Sequence, residues 1–237
     1  MPPAAPGPAF ALRKRAVNII GLDRYVADGI LTTAQAEFLR RAVRERQNIL
    51  IAGATSSGKT TLANALLAEI AATGDRVLVL EDTIELQCAA RDHVPLRTRA
   101  GVVSMTELVR ATMRLRPDRV IVGEVRGGEA LDLVKVWGTG HPGGIATIHA
   151  GSALGALLRL EQLILEVAVN PPRALIAEAV NVVIHIAGRG RKRCVETISR
   201  VVGFDGVGYR LADALETPFP ELPPLSSPSP YHSGELP

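Results

Sequence analysis

Residues 48–72 read NILIAGATSSGKTTLANALLAEIAA. Ile49 to Ala52 form a short apolar run closed by a glycine, which reads as a buried strand, and the stretch from Lys59 onward reads as a helix. Between them GATSSGKT (53–60) matches G-x-x-x-x-G-K-[ST] in the strand-to-helix context that the pattern requires. Gly53 and Gly58 allow the backbone to wrap a phosphate chain, and the following amides and helix N-terminus attract the anion. Lys59 is placed to reach β- and γ-phosphates, and the Thr60 hydroxyl to ligate Mg²⁺. A nucleoside triphosphate, ATP foremost, is the expected ligand.

Working outward, the pattern alternates. RVLVLED (76–82), RVIVGE (119–124), GIATIHA (144–150) and VVIHIA (182–187) read as buried strands. MTELVRATMRLR (105–116, stopped by Pro117), GEALDLVKVWG (128–138), ALGALLRLEQLILEVA (153–168) and RALIAEAVN (173–181) read as helices. Short apolar strands separated by helices imply an α/β fold with a mainly parallel sheet covered on both faces. RCVETISRVVGF (193–204) and GYRLA (208–212), joined through Asp205-Gly206, predict a C-terminal antiparallel hairpin at the sheet edge. Upstream, Thr32 or Thr33 is expected to cap a helix whose apolar side carries Ala36, Leu39 and Val43. The expected division is an irregular N-terminal segment (1–21), an α/β nucleotide-binding domain (22–215) and a disordered Pro/Ser-rich tail (216–237).

Composition narrows the class. Of 237 residues, 47% are apolar and 22% charged, enough for a sizeable core, and only 3% are aromatic, so packing relies on aliphatic side chains. The net charge of +3 is too small to mark a nucleic-acid protein by itself. Two cysteines without a CxxC pattern speak against a disulfide framework or zinc site and fit a reducing, cytoplasmic setting. No run approaches the ~18 apolar residues of a transmembrane helix, and the N-terminus does not read as a secretory signal. A soluble chain with peripheral membrane contact is expected.

Three features extend the chemistry beyond the phosphate loop. RVIVGE ends in an acid at a strand tip, where an attacking water must be held, so Glu124 is the candidate general base. EDTIEL (81–86) supplies three carboxylates that could orient the nucleophile or hold Mg²⁺ through water, though three acids cannot all face one ion. GHPGGIATIHAG (140–151) carries His141 and His149 eight residues apart without acidic or cysteine neighbours, a spacing that matches no zinc pattern. A neutral His149 at the end of its strand could hydrogen-bond a γ-phosphate or the water near Glu124. His185, on an apolar strand, reads as a satisfied core residue.

The series GATSSGKT, LEDTIEL, RLRPDRVIVGEVRGGEALDLVKVWGTGHPGG and ATIHA resembles the secretion and traffic ATPases of type II and type IV secretion systems over about residues 10–215. The resemblance implies a RecA-like P-loop core, a ring of six subunits, and peripheral attachment to the inner membrane at the base of a secretion or conjugation channel. By position, Gly53, Ala54, Thr55, Ser56, Ser57, Gly58, Lys59, Thr60 and Thr61 form the phosphate loop. Glu85 falls at the functional acid of an Asp box, Glu124 at the catalytic Glu, and His141 and His149 in a His box that resembles a γ-phosphate sensor, with His149 the candidate sensor and His141 left open as a brace of the loop. Two departures stand out. Gly151 replaces the usual Asn, and too few residues precede the loop for the family's N-terminal domain, of which PAFALRKRA (8–16) resembles only the end and linker.

Three functions remain open from sequence: an ATP-hydrolysing secretion motor, a DNA-stimulated translocase, and a nucleotide-dependent scaffold that does not hydrolyse. The basic runs RKR (13–15), RRAVRER (40–46) and RGRKR (189–193) are possible phosphate contacts, yet such runs are usually solvated faces, and one Trp, three Tyr and four Phe leave little for base stacking. Direct nucleic-acid binding is not favoured. No arginine finger is assignable among Arg110, Arg114 and Arg116 on one helix, Arg126 after Glu124, or Arg97 and Arg99 in a loop.

Overall fold

The computed structural model describes residues 19–216, so most of the expected N-terminal irregular segment, the tail and the RKR run lie outside the described residues. The chain runs α1 (Leu22–Ala27), α2 (Thr33–Arg44), β1 (Ile49–Ala52), α3 (Lys59–Ile70), β2 (Val77–Glu81), β3 (His93–Arg97), α4 (Met105–Thr112) and β4 (Arg119–Val122). It continues α5 (Glu129–Gly138), β5 (Ile145–Ile148), α6 (Ala153–Ile164), α7 (Arg173–Ala179), β6 (Val182–Ala187), β7 (Cys194–Phe204) and β8 (Tyr209–Asp213). The strands form one eight-stranded sheet in the order β3-β2-β4-β5-β1-β6-β7-β8. Pairing is parallel from β3 to β6. It is antiparallel across β6-β7-β8, so the expected edge hairpin is present. This is a RecA-like P-loop NTPase core.

Helices cover both faces, which is why the central strands are apolar without alternation. Along β1, Ile49 and Ile51 join the core against α1, α2 and α3, whereas Leu50 and Ala52 join the core against α4 to α7. All four are fully buried. The foot of β1 is pinned by Asn48, whose side-chain amide donates to Ala179 O (2.7 Å) and whose Oδ1 accepts from Gly144 N (2.9 Å). With its foot fixed, β1 delivers its C-terminal tip to the middle of the sheet edge.

Four local readings are sharpened or corrected. Thr32, not Thr33, caps α2: its hydroxyl accepts from Gln35 N while Gln35 returns a bond to the Thr32 amide, a full capping box. Strand β3 was not read from sequence, and it places Arg97 in the sheet rather than a loop. Its faces alternate between exposed and half-buried, and Pro95 is tolerated because β3 is an edge strand. Helix α4 ends at Thr112, so Arg114 and Arg116 lie beyond it, and Arg116 adopts a left-handed φ of 51° directly before Pro117. Helix α1 was likewise not foreseen.

At the end of the sheet remote from the β1 tip, Arg119 is 1% exposed and donates to Asp75 Oδ2 (2.6 Å), Val43 O (3.0 Å) and Gly143 O (3.2 Å). Arg46 also donates to Asp75. Burial pushes the Asp75 carboxyl up, but hydrogen bonds from Arg119 and Thr73 outweigh it and hold the group below its usual range. A depressed carboxyl contributes stability that is present above its unfolded pKa, about 3.9, and lost as pH falls through the folded value. Replacing Asp75→Ala strands a buried guanidinium and should cost about 3–5 kcal/mol. A urea midpoint that is unchanged at pH 7, or a wild type whose stability does not fall below about pH 4, contradicts this account.

Candidate active site

The phosphate loop leaves β1 at Gly53 and enters α3 at Lys59. Glycine is required at both ends. A Cβ at Gly53 would lie 2.4 Å from Ile186 O and 2.5 Å from Ser57 Oγ. Gly58 has φ +101°, and a Cβ there would meet Arg193 Nε at 2.7 Å. Between them Ser56 also takes a left-handed φ of 65°, so the chain turns back on itself over the α3 N-terminus. Lys59 is buried, and its ammonium donates to Gly53 O (2.9 Å) and Ala54 O (3.1 Å).

Parallel register brings the distant groups to this point. Ile148 pairs with Ala52, so His149 stands level with Gly53. Lys59 Nζ lies 3.3 Å from His149 Nδ1. Burial, and then the Lys59 charge, lower the imidazole pKa more than Glu124 raises it, so the ring is neutral near pH 7. We assign the tautomer from this network: Nδ1 accepts from Lys59, which leaves the proton on Nε2. That nitrogen is 2.7 Å from Glu124 Oε1. Apart from this close approach to the ring, the oxygen is a buried acceptor without a hydrogen-bond partner. The other carboxylate oxygen accepts from Arg126 Nη2.

The segment that carries Glu124 is held against β5 at two points. Thr147 Oγ1 donates to Gly123 O (2.6 Å), and Val125 N donates to Thr147 O (2.9 Å). Glu129 accepts from Arg126 N (2.7 Å) and Gly127 N (2.9 Å), which secures the loop at the start of α5. The carboxylates of EDTIEL take separate tasks. Glu81 Oε1 accepts from Glu85 N (2.9 Å) and Leu86 N (2.7 Å), folding the loop, and burial pushes its carboxyl up. Asp82 accepts from Thr98 Oγ1 (2.7 Å). Glu85 joins Thr60, Glu124, Arg126, His149 and Arg193 around a cleft of about 320 Å³ above the phosphate loop, and Glu81 and Asp82 line an adjoining pocket with Thr60, Glu85, Glu124 and Arg126.

The two histidines of GHPGGIATIHAG part company. His141 precedes β5, at the opposite end of the strand from His149, and its Nδ1 lies 3.0 Å from Pro117 O. It is therefore remote from the cleft, in keeping with a residue that braces the loop, whereas His149 lines the cleft. His185 pairs with Glu196 (3.1 Å) and is nearly buried, as expected for a satisfied core residue. Sequence reasoning missed Arg193, Thr147 and Asn64; the last fastens the EDTIEL loop by donating to Glu85 O (3.2 Å) and accepting from Gln87 N (2.8 Å). Arg193 was read only as part of a basic run, and its contact with Gly58, 135 residues away, carries no spacing signal.

A phosphate loop at the tip of a central parallel strand, faced by an acid beyond the next-but-one strand, defines a P-loop nucleotide-binding protein of the RecA-like class. The chain belongs to the family described as type II/IV secretion system protein, whose model matches residues 1–213. It is similar to the conjugal transfer protein TrbB of Rhizobium radiobacter, with 50% identity over 212 residues covering 89% of this chain and 65% of the relative. It is 40% identical over 178 residues to the type IV secretion system protein PtlH of Bordetella pertussis, covering 68% of this chain and 52% of that one. The chain thus spans about two thirds or less of the curated relatives it matches. Among solved structures it resembles the VirB11 ATPase of Brucella suis in complex with sulphate, at TM-score 0.63 and 30% identity over 82% of this chain and 66% of that one. The pilus retraction motor PilT with bound ADP shares the fold, at TM-score 0.59 and 22% identity over 84% and 53%.

The Lys59–His149–Glu124 contacts make a directional prediction for the imidazole. His149 should titrate below the ordinary value of about 6.5. Lys59→Met should raise the midpoint by removing a like charge, and Glu124→Gln should lower it by removing an opposite one. Ring NMR titrations of the three proteins test this, and a midpoint indifferent to both substitutions refutes the arrangement.

Proposed function

We propose that this chain is the ATP-hydrolysing motor subunit of a type IV secretion or conjugal transfer system, with residues 22–215 forming its RecA-like ATPase domain. The observation that carries the reading is the array Lys59–His149–Glu124, which brings a cation, a neutral imidazole and an under-bonded carboxylate oxygen to one side of the phosphate loop. The family membership and the similarity to TrbB, PtlH and VirB11 support it.

In this reading the amides of Gly53 to Thr61 and the α3 N-terminus bind the triphosphate, and Lys59 moves its donors from loop carbonyls to the β- and γ-phosphates. Glu124 Oε1 accepts a proton from a water as that water attacks the γ-phosphorus. The bond to the bridging oxygen breaks, and ADP leaves with the electron pair. His149 donates through Nε2 to the γ-phosphate or the water, so loss of the phosphate is felt as a change of hydrogen-bond partner. Mg²⁺ fits the donor set: Thr60 offers a hydroxyl and Glu85 a carboxylate reachable through water, a sparse set suited to an ion that keeps waters and phosphate oxygens as ligands. When bound, the ion would supply neutralisation of phosphate charge.

The proposed working form is a homo-hexamer, attached peripherally to the cytoplasmic side of the inner membrane through channel proteins of the secretion or conjugation machine. No helix among the described residues is long and apolar enough to cross a membrane. Direct nucleic-acid contact is a weaker reading, because three arginines of the RRAVRER run are engaged with acids: Arg40 with Asp23 and Glu69, Arg41 with Glu45, and Arg46 with Asp75.

Glu124→Gln should retain ATP on a filter while phosphate release falls by about 10²–10⁴-fold, the range expected for loss of a general base. Lys59→Ala should lose ATP retention and turnover together. Normal phosphate release by the Glu124 variant removes the proposed base and, with it, the hydrolytic mechanism.

A further inference from the structure

Beyond Lys59, the buried side of α3 carries one polar side chain, that of Asn64, which is 4% exposed. Its buried neighbours along the helix, Leu62, Ala63, Ala65, Leu66 and Leu67, are aliphatic. A polar group inside a helix competes for the helix's own hydrogen bonds and costs free energy when buried unbonded. Here both ends of the carboxamide are used. Nδ2 donates to Glu85 O (3.2 Å) and Oδ1 accepts from Gln87 N (2.8 Å). The side chain thus straddles Leu86, meeting the carbonyl before it and the amide after it. One donor and one acceptor are needed side by side, and a carboxamide supplies that pair.

The same stretch is held from the sheet. Glu81, at the end of β2, accepts through Oε1 from Glu85 N (2.9 Å) and Leu86 N (2.7 Å). The amide and the carbonyl of Glu85 are therefore both fixed, the first by a strand and the second by a helix. Leu86, 8% exposed, packs into the core on the α3 face of the sheet. Thr60 lies four residues before Asn64, and positions i and i+4 share one face of a helix. That face presents Thr60 to the cleft and, one turn further on, grips the backbone of Glu85. Thr60 and Glu85 line the same two cavities above the phosphate loop, whereas Asn64 lines neither.

We propose that Asn64 is a positioning residue for hydrolysis: it holds Glu85 at a fixed separation from Thr60, so that the Glu85 carboxylate orients water beside the γ-phosphate. The proposal rests on the hydrolytic reading above and adds a residue that acts only through another. The helix whose first turn receives the phosphates also sets the acid, which ties the two halves of the cleft to one rigid element. Loss of the grip leaves nucleotide binding to the phosphate loop and takes the acid out of alignment. Turnover then falls while affinity is kept, because a small misplacement of a reacting group costs rate rather than binding.

The test measures ATP retention, single-turnover phosphate release and amide hydrogen exchange on the full chain and its variants. Asn64→Leu keeps a branched side chain that suits a buried helix face, and Asn64→Ser is the smaller alternative. Either should release phosphate about 10–100-fold more slowly, with ATP retention within about twofold of wild type. Exchange at the Gln87 amide should rise about five- to tenfold, as expected for one lost hydrogen bond. Glu85→Gln should also be slow, and adding Asn64→Leu to it should slow release by less than about twofold more, since the two residues act as a unit. Unchanged release or unchanged exchange in both Asn64 variants, losses that multiply in the double variant, or loss of ATP retention in both variants overturns the proposal. A wild type that retains ATP and releases no phosphate overturns the hydrolytic reading itself, so the two failures are distinguishable.

Discussion

The cleft depends on one constraint: the parallel register that sets Ile148 beside Ala52 at the centre of the sheet. Because β1 and β5 end level, the residue after each strand faces the same space, and His149 arrives beside the loop that Gly53 opens. A slip of one residue would turn the side chains of β5 to the opposite face and take the imidazole away from Lys59. The register is secured from below, where Asn48 joins the foot of β1 to Gly144 at the entry to β5. Thr147 then passes the alignment on to Gly123, and so to Glu124.

The two ends of the sheet differ in polar satisfaction. Below, Arg119, Asp75 and Asn48 are buried with hydrogen bonds to carbonyls, amides and one another, and they serve stability. Above, Ser57 Oγ, Glu124 Oε1 and Arg193 Nε are buried without aligned partners. These are three of six such atoms among the described residues, Glu45 Oε2 at the foot of β1 and Tyr209 Oη lying away from the cleft, and Glu124 Oε1 is the one that faces the phosphate loop beside His149. The proposed base draws on the unmet capacity of that oxygen.

How far the cleft was legible follows the range of the contacts. The phosphate loop is a local device whose glycine positions, strand and helix all lie within 25 consecutive residues, so its pattern is written in order along the chain. Glu124 and His149 were legible because each follows a buried strand, and strand tips of a parallel sheet converge on one edge. Of the two histidines, His149 was the one read at a strand tip, and His141 lies in the same glycine-rich run at the opposite end of β5. The sorting of Glu81, Asp82 and Glu85 was not legible from the residues, because it depends on side-chain bonds to backbone amides. Strand β3 was missed because an exposed edge strand carrying a proline has neither the apolar run nor the clean alternation of its neighbours.

By itself the sequence determined the α/β class, the parallel sheet with its terminal hairpin, and the loop that defines a P-loop protein. Those properties come from periodicity and from backbone freedom at named glycines, which act over a few residues. Tertiary structure alone decided that Arg193 leaves its basic run to lie over Gly58, that Arg40 and Arg46 of the RRAVRER run meet Asp23 and Asp75, and that α1 closes a cavity against the start of β7. These are contacts between segments far apart in the chain. Their partners are chosen by the order of strands in the sheet and the packing of helices on it, and no local pattern encodes that choice.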